Sequence, residues 1–384
     1  MRKYLSKYFK GDPVIWAVIV GLSLFSILAV YSSTGTLAYK SQGGNTTYFL
    51  FKHGLLLLVG IGVIFLAHQI PYRYYSRLAQ LLFYLSIPLL AITLLMGTSL
   101  NEASRWLTVP GTGLTVQTSD FAKLALIMFI ARLLSKKQDG IKGFESGFVP
   151  LMVPVLVICM LILPADFSSA FILFVTSIII MFIGRVQLKY IAGLTGAGAV
   201  LILIFVLIAY NSENQGRVGT WKNRIENYMS KDSDGNYQVE QAKIAIVTGG
   251  LLGKGPGRST QRNFLPHPYS DFIYAIIIEE YGLVIGGVLM LILYLILLYR
   301  AGLIVRRISS RFGAFLAIGL TFSIVFQAII NMAVAVNLLP VTGQTLPLVS
   351  MGGTSIFSTS IAFGIILSVS RSLNKSENHE ATAT

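Results

Sequence analysis

Charge is what this sequence has least of. Asp, Glu, Lys and Arg together make up 12% of its 384 residues, 16 of them acidic, where a soluble globular chain carries about one-quarter charged residues. A water-soluble fold is excluded. A single cysteine, Cys159, excludes an intrachain disulfide and any cysteine-built metal cluster. The four histidines, His53, His68, His267 and His379, have no ligand-like spacing, so no protein-built metal cage is indicated. No repeat relates the two halves of the chain. A Walker A loop is also missing, because Lys254 is followed by Gly255 where Ser or Thr is required, and Thr stands at 248.

What the chain does have is apolar length. Hydrophobic residues make up 54% of it and the mean hydropathy is +0.71. They come in blocks of roughly 17 to 25 residues, enough to cross about 30 Å of hydrocarbon as a helix. The reading is an all-α polytopic membrane protein with ten transmembrane helices, near 14–31, 50–68, 78–97, 120–134, 148–163, 167–184, 189–210, 271–299, 312–336 and 350–370. The first block follows a basic stretch and lacks a small-x-small cleavage site, so it reads as a retained start-transfer helix. Residues 1–374 form one integral membrane domain, and 375–384 a short, disordered cytoplasmic tail.

Basic residues outnumber acidic ones, giving a net charge of +14, but they sit in short loops between apolar blocks. That pattern orients a chain in a membrane and gives no reason to expect nucleic acid. With a cytoplasmic amino terminus, eighteen Lys and Arg fall in inner segments and three, Lys40, Lys52 and Arg105, in short outer ones. Both termini are therefore expected in the cytoplasm. Dropping the short fourth span, which starts with Asp120 and Lys123, would reverse this distribution. The loop of about 211–270 is then extracytoplasmic and far longer than a connector needs. Trp221, Tyr228, Ile244 and Leu251 make it too apolar for disorder, and residues 238–252 are expected to form a helix lying on or dipping into the membrane.

Ionisable groups at membrane depth are costly and default to functional hypotheses. Asp271 opens the eighth span, a place for a functional carboxylate or for a simple N-cap. Glu279 and Glu280 lie two turns further in and point about 100° apart, so both are not expected at one site. Asp120 and Lys123, three apart, are spaced to pair with each other. The loop adds Arg217, Lys222, Arg224 and Lys231, then the segment Gly253-Lys254-Gly255-Pro256-Gly257-Arg258-Ser259-Thr260-Gln261-Arg262. Glycines exposing N–H groups beside three cations suit a phosphate or pyrophosphate; an interfacial linker meeting lipid headgroups is the alternative. Arg105 and Trp106 share a short outer loop, where the Trp also fits an interface anchor.

With these residues in view, the chain resembles the SEDS family (shape, elongation, division and sporulation). Arg105-Trp106 is followed by Gln117-Thr118-Ser119-Asp120-Phe121-Ala122-Lys123, similar to the family's Gln-Pro-Ser-Glu-x-x-Lys. Pro164-Ala165-Asp166-Phe167-Ser168-Ser169-Ala170, Tyr237-Gln238-x-x-Gln241, the Gly-Lys-Gly-Pro-Gly run, Asp271-Phe272-Ile273-Tyr274-Ala275, Glu279-Glu280-Tyr281-Gly282 and Leu346-Pro347 through Ser355 follow in order. Thr118 and Asp120 depart from that pattern, as do residues 267–270.

The resemblance implies a ten-helix membrane glycosyltransferase that polymerises lipid II into peptidoglycan in the bacterial plasma membrane. It implies a class B penicillin-binding protein and other divisome membrane proteins as partners, and undecaprenyl-linked glycan as product. Asp271 is then the expected base. Arg105, Trp106, Lys123, Gln241, Lys254, Arg258 and Arg262 are the expected substrate-binding residues, and a divalent cation, Mg or Mn, would accompany the pyrophosphate. Gln344-Thr345-Leu346-Pro347 is closer to the division branch, at the septum, than to the elongation branch. A lipid II flippase, which would want midplane charges and paired broken helices, and a noncatalytic scaffold are the rivals from other classes.

Overall fold

The computed structural model describes residues 9–100, 103–108, 115–211 and 237–383. Arg217, Trp221, Lys222, Arg224, Tyr228 and Lys231 of the long loop lie outside the described residues. The elements are α1 Pro13–Ser33, α2 Gly35–Gln42, α3 Thr46–Gln69, α4 Tyr72–Met96, β1 Thr98–Leu100, β2 Ala103–Thr108, β3 Thr115–Gln117, α5 Thr118–Lys136, α6 Val149–Ile162, α7 Phe167–Ile183, α8 Leu188–Asn211, α9 Tyr237–Gly249, α10 Ile273–Gly282, α11 Leu289–Arg307, α12 Arg311–Ala335 and α13 Gly353–Ala383. Each expected span coincides with a helix, the eighth being α10 and α11 joined through a π-helical turn, Leu283–Val288. Among the described residues, seven helices are long and apolar enough to cross a membrane, with α7 apolar but shorter. In α5 the charged Asp120, Lys123, Arg132 and Lys136 dilute the apolar run.

The chain divides into two compact units, 1–78 with 238–384, and 79–237. In the first, Asp12 caps α1 by accepting from Val14 N at 2.9 Å and pairs with Arg300 Nη2 at 2.6 Å, fixing α1 to α11. Helices α3 and α13 pack closely because Gly364 meets Ala67 and Gly60 meets Ser360, where an added Cβ would collide. Ser26 Oγ lies 2.7 Å from His53 Nε2 and donates to Val349 O at 2.8 Å. The wholly buried Tyr294 donates to Pro347 O at 2.6 Å. Buried polar groups are thus spent on helix-to-helix and helix-to-loop ties, as a medium without water requires.

In the second unit α5, α6 and α7 pack together, and Phe83 of α4 stacks on Phe129 of α5 at 4.2 Å. Asp166, whose carboxylate accepts from Ser169 N at 3.1 Å and Ser169 Oγ at 2.9 Å, caps α7. Between α4 and α5 the strands β1, β2 and β3 form a small antiparallel sheet, with Trp106 opposite Gln117 and Leu107 opposite Val116. The all-helical reading passed over it because each strand is only a few residues long. The other departure is the carboxyl end: α13 runs to Ala383 where a disordered tail was expected from 375. After Gly364 the sequence offers neither Gly nor Pro to end a helix.

Candidate active site

Gly282 breaks the eighth span, with φ 79° and ψ 171°. A helix broken at membrane depth leaves backbone groups without partners. The segment after α9 takes them up: Lys254 N donates to Glu279 O and Gly255 N to Glu280 O, each at 2.9 Å, while Leu283 N donates to Gly250 O at 2.9 Å and Val284 N to Leu251 O at 3.3 Å. The approach is so close that a Cβ on Gly282 would overlap Leu251 O and one on Gly253 would overlap Glu280 O. Gly253 and Gly282 also hold positive φ, which side chains rarely tolerate. Backbone contact explains these glycines.

The same segment then closes around two carboxylates. Glu279, fully buried, pairs with Lys254 Nζ at 2.5 Å. It also accepts from Thr260 N at 3.1 Å, Thr260 Oγ1 at 2.9 Å, Gln261 N at 3.3 Å and Ser259 Oγ. Glu280 accepts from Ser259 N at 3.2 Å and from Ser32 Oγ, and Arg262 Nη1 donates to Ser32 O at 3.0 Å. The glycine-rich run, whose composition suits a phosphate or pyrophosphate, here surrounds the chain's own carboxylates. Both glutamates reach it, contrary to the 100° argument, because Ser259 lies between them and serves one with its hydroxyl and the other with its N–H. Lys254 and Arg262, expected at a pyrophosphate, have these internal partners. Arg258 is exposed.

Asp271 is placed differently. The N-cap position of α10 is Phe272, one residue after Asp271. Its half-exposed carboxylate accepts from Ser270 Oγ at 2.8 Å. Asn331 Nδ2, on α12, holds its backbone oxygen at 2.9 Å and Gln344 O at 2.7 Å, joining the start of α10 to the loop before α13. Ser350 Oγ donates to Ser270 O at 2.7 Å and Met351 N to Tyr269 O at 2.9 Å. Burial, and after it the Asp271 carboxylate, push the Tyr269 phenol above its ordinary range. Ser270, Asn331 and Gly343, whose Cβ would come 3.7 Å from Asp271 Oδ2, were not singled out from sequence. Asn331 was findable, being an amide deep in an apolar helix.

Gln241 is half-buried on α9. In the other unit, Lys123 pairs with Asp120 at 2.8 Å, both nearly buried, as the three-residue spacing allowed. Arg105 and Trp106 lie in β2, Trp106 half-buried and the Arg105 side chain outside the described set. Among the described residues no cluster of three His, Cys, Asp or Glu could hold a metal.

A family model described as "Cell cycle protein", covering FtsW, RodA and SpoVE, matches residues 12–375. The "Probable peptidoglycan glycosyltransferase FtsW" of Trichlorobacter lovleyi is 33% identical over 385 residues, 97% of each chain. "Stage V sporulation protein E" of Bacillus subtilis is 34% identical, covering 94% of this chain and 98% of its own. Among solved structures, a chain of a peptidoglycan synthase complex, solved to show how polymerisation and crosslinking are coordinated, is 24% identical. It superposes with TM-score 0.74, covering 94% of this chain and 98% of that one. The rod shape determining protein RodA of Thermus thermophilus is 22% identical, with TM-score 0.68 over 94% of this chain and 97% of its own.

Proposed function

The chain belongs to the FtsW, RodA and SpoVE family of cell cycle proteins, and from that premise we propose that it is a peptidoglycan glycosyltransferase polymerising lipid II during cell division. The observation that carries the mechanism is Asp271, a partly exposed carboxylate one residue before the N-cap of α10, with Ser270 at its side chain and Asn331 at its backbone. Glycan growth by attack of a sugar 4-hydroxyl on a lipid-linked anomeric carbon needs a base at the hydroxyl and positive charge at the departing pyrophosphate. Asp271 accepts the hydroxyl proton. Ser270 and Asn331 orient it, one at the carboxylate and one at the backbone.

Arg258, exposed on the same loop, meets the pyrophosphate. Lys254 and Arg262 act one step removed, holding the cradle in shape through Glu279 and Ser32. Gln241, Arg105, Trp106 and Lys123 are proposed substrate contacts, each to be tested by its own variant. A Mg or Mn ion would be held chiefly by the pyrophosphate, because the adjoining donor is one carboxylate; it would neutralise charge on the leaving group. The class B penicillin-binding partner, the divisome neighbours, the septal location and the cytoplasmic termini belong to this reading, supported by the family and by the charge distribution.

The flippase reading draws less support from the geometry, since Asp166 caps α7 and Glu279 and Glu280 accept hydrogen bonds from the loop. The test is purified protein with its penicillin-binding partner, given lipid II in detergent, where no bilayer exists to flip across. Glycan chains are the expected product; intact lipid II after prolonged incubation with a folded, partner-bound protein contradicts the proposal.

A further inference from the structure

The groove among α6, α7 and α8 is not used by this mechanism. It has a volume of about 590 Å³ and is walled by Met152, Cys159, Met160, Phe171, Phe174 and Ala197, with Lys189 and Tyr190 at one end. We propose that it binds a phospholipid with an anionic headgroup, one acyl chain lying in the groove and the phosphate at Lys189.

Three observations carry this. The space is of the size that ligand sites occupy, roughly 300–1,000 Å³. It exists because α8 presents small residues, Gly193, Ala197 and Gly198, to the bulky walls of α6 and α7. From Phe148 to Leu163 the groove follows α6 for about 22 Å at 1.5 Å per residue, a chain-shaped slot covering most of the hydrocarbon thickness. Its wall is open, since Met160 is 56% and Phe171 40% exposed, so a chain enters sideways from the bilayer.

The charge is at one end. Lys189 lies in the first turn of α8, which contains no acidic residue, with its ammonium 4.8 Å above the Tyr190 ring. A cation there opposes the helix dipole, and an anion at that point relieves both. Arg185 is exposed in the turn before it; Lys142 and Glu145 are exposed on the turn that leads into α6. An apolar body with a single anionic end is the complement. The choice of a bilayer phospholipid over the polyprenyl-linked substrate rests on the proposed orientation, which puts Lys189 on the cytoplasmic side and the Asp271 loop on the other.

The test uses the full chain in nanodiscs containing either phosphatidylglycerol or phosphatidylcholine with a diazirine in mid-chain, irradiated and mapped by peptide. Crosslinks should concentrate on 152–160 and 190–198, with phosphatidylglycerol favoured about fivefold, the worth of one interfacial cation. Lys189→Gln, an exposed change that leaves packing intact, should equalise the two lipids. Ala197→Phe should remove crosslinks from the groove while labelling of other helices persists. Crosslinks spread evenly over the helices, no headgroup preference in the unaltered protein, or displacement of the label by lipid II would each overturn the proposal. None of these readouts depends on glycan synthesis, so failure here and failure of the proposed activity are separable.

Discussion

Lys254 and Arg258 stand four residues apart in one basic run, yet the structure gives them different work. Lys254 neutralises a fully buried carboxylate, and removing one member of a buried pair typically costs about 3 kcal/mol or more. Lys254→Ala should therefore lower the melting temperature by several degrees, whereas Lys254→Met combined with Glu279→Gln should recover much of it. Arg258→Ala should leave melting unchanged, since an exposed loop cation adds little to packing, and should weaken lipid II use. Equal kinetics for folded Arg258→Ala would remove it from the pyrophosphate. At this scale the sequence revealed which residues carry charge but not what each charge faces. Glycines, cations and the Glu279–Glu280 pair were all legible; that the pair fills the cradle was not, since the two lie some twenty residues apart in sequence.

At the scale of elements, apolar length located each membrane-crossing helix, because such a segment has few alternatives to a helix, but not the short polar α2. It did not reveal the break at Gly282. A glycine in an apolar run reads the same whether it eases helix packing or ends a helix with positive φ. The break is what gives the segment from 250 to 255 its backbone partners. Gly282→Ala should disrupt this clamp, because the added carbon meets Leu251 O and the backbone angle is strained. The expected result is proteolysis within 250–262 under conditions where the unaltered loop resists. Resistance equal to the unaltered chain would contradict the clamp. The small sheet was missed for a different reason, its strands being shorter than any pattern the eye can trust.

Taken whole, the molecule is a membrane enzyme, and the placement of its cations is the ground for the proposed orientation. With Cys159→Ala as background, a cysteine at Ser233 should react with an impermeant maleimide on intact spheroplasts and one at Ser376 should not; the opposite pattern would invert the orientation. The central claim is that Asp271 takes the acceptor proton. Asp271→Asn preserves size and the contact with Ser270, and Asn serves a helix start about as well as Asp, so folding should survive. The direct measurement is the rate of glycan formation from lipid II by the purified, partner-bound protein, unaltered and Asp271→Asn, side by side. The account predicts a fall of at least ~10²-fold with melting unchanged, and chains made by the variant at the unaltered rate would contradict it.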